Sequence, residues 1–284
     1  MINIKVLACN NVAFPFVPGN ISDVLGEHGL AFLLDNGEEK ILYDTGKGRT
    51  LLTNLEQWEI NPEEIDKVII SHGHLDHTGG LLSLVKSRTA PTRIFCSPKI
   101  FEHKNMKDKS TQNFEYIGSP FSREELESEG AKFQFVENFT PVGKNIWLSG
   151  EIPRRHSWER DVDNFYKREG ENNYVKEDLE DDQSVVIDTD AGLVILAGCG
   201  HAGIINILSH VCGKMGEKKL HIIGGLHLAG VSESRLEATI NRLKEYPLAN
   251  LITGHCTGFE ATCRLRGELG EKLKPLGVGE QYNF

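Results

Sequence analysis

The chain has 284 residues and a formal net charge of −10 at pH 7. This acidic balance argues against a general nucleic-acid-binding surface, and no apolar run is long enough to cross a membrane. The length suits one large α/β domain, so we expect a single domain over residues 1–284 with a charged insertion at about 151–182. The six cysteines form no Cys-x-x-Cys pair, and the first residues lack a signal-peptide pattern. We therefore expect reduced thiols and a cytoplasmic protein.

The first quarter of the chain predicts strands, a loop and a helix. The loop over 10–27 contains Phe14 and Phe16, which either pack or contact a ligand. A turn at Asp35-Asn36-Gly37-Glu38 predicts a hairpin, and Asn61-Pro62-Glu63-Glu64 predicts a helical N-cap. The expected elements are a strand over 2–9, hairpin strands over 29–34 and 40–43, and a helix over 49–58.

The densest group of candidate ligands follows the apolar run Val68–Ile70, which predicts a buried strand. His72, His74, Asp76 and His77 lie within six residues of one another. Imidazole and carboxylate are ligands of zinc, iron and manganese, and Gly73 leaves both flanking rings room to turn towards one ion. A second ion is expected at Asp76 and His77. The alternative, a solvated histidine-rich loop, does not account for four donors in this order at a strand end.

The middle of the chain is more polar. We expect an irregular segment over 104–120, a helix opening at Ser122, and strands over 92–96, 132–136 and 145–148. Residues 151–182 carry 17 charged side chains among 32 residues and cannot bury a core of their own. This segment is an ordered lid, a partner-facing insertion or a mobile surface loop. Arg154 and His156 lie near its start, where arginines suit phosphate or carboxylate recognition.

The last third of the chain repeats one arrangement three times. His201, His227 and His255 each follow an apolar strand and a glycine. Because ligands gather at the carboxyl ends of strands in α/β folds, we expect these histidines to converge with the first metal loop. The expected elements are a hairpin over 183–197, strands over 219–223 and 248–253, helices over 204–212, 232–246 and 258–269, and a final strand in the tail. Gly213 is expected to end the first of these helices.

These motifs resemble those of the metallo-β-lactamase fold superfamily, whose metal motif is His-x-His-x-Asp-His after a buried strand. Four further stretches resemble the 7,8-dihydropterin-6-methyl-4-(β-D-ribofuranosyl)-aminobenzene-5′-phosphate synthase-like branch: Glu27-His28-Gly29-Leu30, Gly150-Glu151-Ile152-Pro153-Arg154, Gly198-Cys199-Gly200-His201-Ala202-Gly203 and His255-Cys256-Thr257-Gly258. The resemblance implies an α+β fold, a four-layer αβ/βα sandwich in which helices flank two mixed β-sheets.

The resemblance also implies roles for particular residues. Asp76 is the expected catalytic residue, and Asp44 is expected to brace the metal loop by hydrogen bonds. Relatives carry a histidine before the hairpin, where this chain has Glu180-Asp181-Asp182, and a bridging aspartate where it has Cys199. Cys199 is thus either a thiolate ligand or an inert small residue. The expected metal ligands are His72, His74, Asp76, His77, His201 and His255, and the candidate metal or substrate residues are His227, Cys199, His28, Arg154 and His156.

The implied function is metal-dependent hydrolysis of a small-molecule phosphoester or cyclic phosphoester, pterin- or nucleotide-like, by a water activated at one or two zinc ions, with iron or manganese as alternatives. A diiron oxidoreductase is a second hypothesis, but such relatives place Glu where this chain has His74 and carry a redox module absent here. A non-catalytic metal- or pterin-binding protein is the third. The expected partner is a small-molecule substrate, with no nucleic acid and no membrane. The oligomeric state stays open, with a homodimer as one candidate.

Overall fold

The computed structural model describes residues 1–13, 21, 23–160, 164–171 and 173–284. Phe14 and Phe16, the candidate aromatic contacts of the first loop, lie outside the described residues. Among the described residues, each helix is too short or too polar to span a lipid bilayer. The helices are α1 (Leu51–Gln57), α2 (Leu75–Thr78), α3 (Leu81–Lys86), α4 (Arg123–Ser128), α5 (Ile204–Met215), α6 (Glu233–Glu245) and α7 (Phe259–Leu269).

The first large sheet has seven strands in the order β18-β1-β2-β3-β4-β5-β8. Its first four strands pair antiparallel, and β3, β4, β5 and β8 pair parallel. The strands are β1 (Asn3–Ala8), β2 (Ala31–Asp35), β3 (Lys40–Tyr43), β4 (Lys67–Ile69), β5 (Thr92–Cys96), β8 (Ala131–Phe135) and β18 (Gln281–Asn283).

The second large sheet has seven strands in the order β17-β16-β15-β14-β13-β10-β9. Strands β14 to β17 pair parallel, and the remaining pairs are antiparallel. The strands are β9 (Thr140–Gly143), β10 (Ile146–Leu148), β13 (Ser184–Thr189), β14 (Gly192–Ala197), β15 (Leu220–Gly224), β16 (Leu248–Thr253) and β17 (Leu273–Pro275).

Apolar side chains fill three layers between these elements. The inner faces of the two sheets meet in one buried cluster, represented by Phe32 and Tyr43 on one side and by Val194 and Leu196 on the other. The outer face of the first sheet packs on α1, α3 and α4, and that of the second on α5, α6 and α7. Helix, sheet, sheet and helix therefore stack in that order, which confirms the expected four-layer αβ/βα sandwich.

A smaller antiparallel sheet covers one end of the sandwich, in the order β12-β11-β6-β7. Its strands are β6 (Lys104–Lys107), β7 (Phe114–Tyr116), β11 (Phe165–Arg168) and β12 (Tyr174–Lys176). The expectation of an irregular 104–120 segment was therefore wrong. Polar residues form strands there because β6 pairs with β11 of the charged 151–182 segment.

Helix α5 also differs from the prediction. It runs through Gly213 to Met215 and ends at Gly216, which has φ = 78°. A mid-helix glycine costs only about 1 kcal/mol, and the buried apolar face of α5 outweighs this cost.

The start of α5 is capped by a side chain from the charged segment. Gly203 precedes the helix and offers no side-chain acceptor. The Glu159 carboxylate, 1% exposed, instead accepts hydrogen bonds from the backbone N–H groups of Ile205 (2.9 Å) and Asn206 (2.7 Å). Two of the four free N–H groups at the helix end are thus satisfied by a residue more than 40 positions earlier.

We expect Glu159→Ala to lower the free energy of unfolding by about 1–3 kcal/mol, because it leaves buried helix N–H groups without an acceptor. Urea unfolding followed by circular dichroism measures this change. The control is Glu169→Ala, an exposed position in the same segment, which should change stability by less than about 0.5 kcal/mol. Equal midpoints for the two variants would contradict the capping role.

Candidate metal centre

The candidate ligands lie at the carboxyl ends of four parallel strands. His72 and His74 follow β4, Cys199 and His201 follow β14, His227 follows β15 and His255 follows β16. These ends lie at one edge of the sandwich, as expected for ligand sites in sheets of this kind. The predicted convergence of the three downstream histidines with the first loop is therefore present in the structure.

One group of ligand atoms comes from His72, His74 and His201, which lie within 4.8 Å of one another. The Nε2 atom of His72 lies 3.0 Å from the Nδ1 atom of His74. All three rings are buried, and burial together with the neighbouring histidines holds the pKa of each well below its usual value. They are therefore neutral imidazoles, the form that binds a metal ion.

A second group contains His77, His255, Asp76 and Cys199. The two Nε2 atoms of the histidines lie 3.2 Å apart. The Cys199 Sγ atom lies 3.2 Å from the first of these nitrogens and 3.3 Å from the second. An Asp76 carboxylate oxygen lies 3.4 Å from His255 Nε2 and 3.8 Å from His77 Nε2.

The hydrogen bonds on the other side of each ring fix which nitrogen carries the proton. His77 Nδ1 lies 2.7 Å from the Asp44 carboxylate, which accepts only, so this nitrogen donates. His255 Nδ1 lies 2.8 Å from Asn10 Oδ1, an oxygen that also accepts from the Gly29 N–H. If both rings were neutral, their Nε2 atoms would present lone pairs to each other, an arrangement that requires a proton or a metal ion between them.

The side chains of this second group influence one another's charge. Burial lowers the pKa of His77, but Asp44 and Asp76 outweigh it and raise the pKa to about 9. Burial raises the pKa of Asp76, but the neighbouring His77 and His255 outweigh it and bring it to about 2. Without a metal ion, a proton on His77 offsets one of the two carboxylate charges, and a bound cation takes over that role.

Asp44 has a second hydrogen-bond partner besides His77. Its carboxylate also accepts from the backbone N–H and the hydroxyl of Ser71, both at 2.7 Å. Asp44 is fully buried and has φ = 60°, in the left-handed region. This geometry is that of the bracing carboxylate expected from the sequence.

Of the other four candidate residues, two lie beside these ligand groups and two make their contacts elsewhere. His227 lies against His201, with ring centroids 4.2 Å apart, and the exposed His28 places Nε2 3.3 Å from an Asp76 oxygen. Arg154 donates to the backbone carbonyls of His201 (2.8 Å) and Leu179 (3.0 Å), so it positions the loop that carries His201. His156 lies outside these groups, with Nε2 3.2 Å from the hydroxyl of Ser209.

The sequence comparisons identify the family. A family model described as the metallo-beta-lactamase superfamily matches residues 25–214. The chain belongs to the metallo-β-lactamase superfamily.

Individual relatives agree with this assignment. The chain is 31% identical over 277 residues to the 7,8-dihydropterin-6-methyl-4-(β-D-ribofuranosyl)-aminobenzene-5′-phosphate synthase of Methanocaldococcus jannaschii, covering 94% of this chain and 93% of the relative. A solved structure, Tm1679, described as a metal-dependent hydrolase of the β-lactamase superfamily, is similar with a TM-score of 0.84 at 26% identity, covering 100% of this chain and 99% of that one. Zinc-bound PqqB from Methylobacterium extorquens has the same fold, with a TM-score of 0.53 at 11% identity over 99% of this chain and 100% of that one.

The sequence analysis assigned no role to two residues that hydrogen-bond to the candidate site. Asn10 orients His255, as described above, and Asp181 accepts a 2.7 Å hydrogen bond from the Gly73 N–H. Asp181 also lies 3.0 Å from the ammonium group of Lys104, and both side chains are fully buried. Asp181 thus holds the loop of His72 and His74 from outside the two groups of ligand atoms.

Gly73 has a further structural role that the sequence did not reveal. A Cβ atom at this position would lie 2.1 Å from the carbonyl oxygen of Ile100. The metal loop thus packs directly on the backbone of a neighbouring helical turn, and any side chain at Gly73 would push it away.

We expect Asp44→Asn to weaken metal binding by His77 about 10- to 100-fold. Asparagine tolerates the left-handed backbone, but its amide group can donate to His77 Nδ1 and so move the ring proton to Nε2. Zinc titration by calorimetry, with circular dichroism as the folding check, measures this. Asp35→Asn, in the β2–β3 hairpin, is the matched control, and equal zinc affinity in the two variants would rule out the bracing role.

Proposed function

We propose that the protein is a metal-dependent hydrolase that acts on a small-molecule phosphoester or cyclic phosphoester with one or two zinc ions. The observation that carries the proposal is the pair of Nε2 atoms of His77 and His255, which lie 3.2 Å apart beside Asp76 and Cys199. A cation relieves this arrangement, and the all-nitrogen group of His72, His74 and His201 offers a second position for an ion.

The donor types fit zinc, since neutral imidazole, carboxylate and thiolate are its usual ligands. His72, His74 and His201 would hold one ion, and Asp76, His77 and His255 would hold the other. Cys199 lies between the two groups, and His227 is an alternative ligand. A bound zinc ion would lower the pKa of a coordinated water to about 7 and polarise the scissile phosphoryl group.

The chain's own groups then supply orientation and proton transfer. Asp76, ionised and largely buried, accepts a hydrogen bond from the attacking water and holds it in place. His28 lies beside Asp76 at the exposed edge, where its Nε2 suits a hydrogen bond to a substrate oxygen. Asp44 and Asn10 keep the ligand rings fixed through the reaction.

The similarity to the dihydropterin-named synthase supports a pterin- or nucleotide-like substrate. That name also supplies a second candidate function, a synthase reaction that yields a phosphate ester of such a molecule. Product analysis separates the two, because a hydrolase releases a free hydroxyl and a phosphate group from a single substrate. All six cysteines are unpaired, which supports the proposed cytoplasmic location.

We expect Cys199 to ligate the ion at the second position. The cobalt-substituted protein should show a thiolate-to-cobalt absorption band in the near ultraviolet, lost in Cys199→Ser and kept in Cys212→Ser, whose thiol lies on α5. Because a bridging carboxylate is absent, the second ion should leave first during graded chelation, and Cys199→Asp should retain it longer. No thiolate band, with two equally tight ions in the native protein and in Cys199→Asp, would show that Cys199 is inert.

We expect Asp76→Ala to lower kcat/KM for a chromogenic phosphodiester, bis(p-nitrophenyl) phosphate, by about 100-fold or more. Zinc content is measured in parallel so that activity is expressed per bound ion. Asp190→Ala, an exposed turn residue of the β13–β14 hairpin, is the matched control and should retain native activity. Near-native activity per zinc in correctly folded Asp76→Ala would refute the catalytic assignment.

A further inference from the structure

One side of the metal centre is covered by an aromatic side chain from the small sheet. Phe165, at the start of β11 and 8% exposed, packs against three histidines of the centre. Its ring centroid lies 5.3 Å from that of His74, 5.4 Å from His201 and 5.7 Å from His227. A substrate therefore cannot reach the centre from this side unless Phe165 moves.

The opposite side is more accessible. The His28 side chain is 61% exposed and lies over His255, with ring centroids 5.3 Å apart. The Asp76 side chain, 14% exposed, lies beneath His28. Approach is thus favoured from the side of His28 and Asp76.

A cavity of about 640 Å³ lies beside His255. We call it the α7 cavity, since one wall is helix α7 and the other comes from Asn10 and Asn11. His255 and Asn10 belong both to the cavity wall and to the metal centre. The volume matches that of typical small-molecule sites, and the wall is mainly apolar.

Helix α7 presents one continuous face to this cavity. Phe259, Thr262, Cys263 and Arg266 line it, at the spacing i, i+3, i+4 and i+7. The buried core positions Ala261 and Leu265 lie on another face. Phe259 is 84% exposed, so its ring contributes little to the core and remains free to stack on a ligand.

Arg266 lies at the far end of this face, two helical turns or about 10 Å from Phe259 along the helix axis. Its guanidinium group donates to the Leu273 carbonyl and lies 2.6 Å from Glu271, whose side chain is 95% exposed. An ion pair with so exposed a partner is weak, so an anionic substrate group can replace it.

We propose that the α7 cavity is the substrate-binding cleft and that it accepts an aromatic or heteroaromatic phosphoester carrying a second anionic group. The phosphoester lies at the metal centre beside His255, the ring stacks on Phe259, and the distal anion pairs with Arg266. This inference rests on the proposed function, since it takes the metal centre as the place where the phosphoester binds.

A second large cavity serves as the matched control. It measures about 680 Å³ and is lined by Phe101, Tyr116 and Phe135, but none of the candidate metal ligands lies in its wall. Phe135 is 41% exposed and, like Phe259, is an accessible phenylalanine beside a cavity. Phe135→Ala therefore controls for the loss of an exposed ring.

The test measures binding to the zinc-loaded protein by calorimetry, with phenylphosphonate and methylphosphonate as non-hydrolysable probes. We expect the native protein to prefer phenylphosphonate and Phe259→Ala to reduce its affinity about five- to tenfold, with methylphosphonate unchanged. Phe135→Ala should alter neither. A biphenyl probe with a phosphonate at one end and a carboxylate at the other should lose affinity in Arg266→Gln, whereas phenylphosphonate should not.

The outcomes separate this inference from the proposed function. An unchanged preference for the phenyl probe in Phe259→Ala, or no such preference in the native protein, overturns the cleft even if phosphodiesters are hydrolysed. If the preference for phenylphosphonate is lost in Phe259→Ala and kept in Phe135→Ala, the result supports the cleft. If in addition no phosphoester tested is hydrolysed, only the hydrolase proposal fails.

Discussion

Two imidazole nitrogens that face each other across 3.2 Å are the constraint on which the rest of this site depends. In the neutral rings the protons lie on the nitrogens that face Asp44 and Asn10, so the facing atoms would carry lone pairs. Such a pair is repulsive unless a cation or a shared proton lies between. The fold tolerates this repulsion because β4 and β16 end at the same edge and because a hydrogen-bond acceptor, Asp44 or Asn10, holds each ring from behind.

The small sheet covers one side of the metal centre, and the opposite side is more accessible. A buried network of Lys104, Glu177 and Asp181 joins the small sheet to the Gly73 amide of the metal loop. Phe165 of the same small sheet covers the histidines on that side. The charged 151–182 segment, which cannot form a core of its own, is thus stabilised by contacts with the sandwich. The opposite side keeps His28 exposed, and the α7 cavity shares His255 and Asn10 with the centre.

Much of the fold was predictable from local patterns. Apolar runs followed by a small residue and histidine mark the strand ends near Ile69, Ala197 and Thr253, because the ligands come soon after buried strands. The helix over 204–212 was placed correctly at its start but extended past Gly213, since core packing outweighed glycine's weak helix propensity. The strands β6 and β7 were missed because β6 pairs with the distant β11, and β7 pairs with β6. No local periodicity reveals such a partner.

The residues that hold the candidate ligands in place were harder to predict than the ligands themselves. His72, His74, Asp76 and His77 lie in one short motif, whereas Asn10 meets His255 across 245 positions of sequence. Asp181 braces Gly73 across 108 positions, and its carboxylate resembles any other in a charged segment. Hydrogen bonds of this range arise from the topology of the two sheets, which the order of residues does not state directly.

The most direct test of the account is an anomalous-difference map from crystals of the zinc-loaded protein, recorded on both sides of the zinc absorption edge. The account predicts a peak between His77 Nε2 and His255 Nε2 with Asp76 and Cys199 as ligands, and a second peak among His72, His74 and His201. Zinc bound only elsewhere on the molecule, with His77 Nε2 and His255 Nε2 still facing each other and no ion between them, would contradict it.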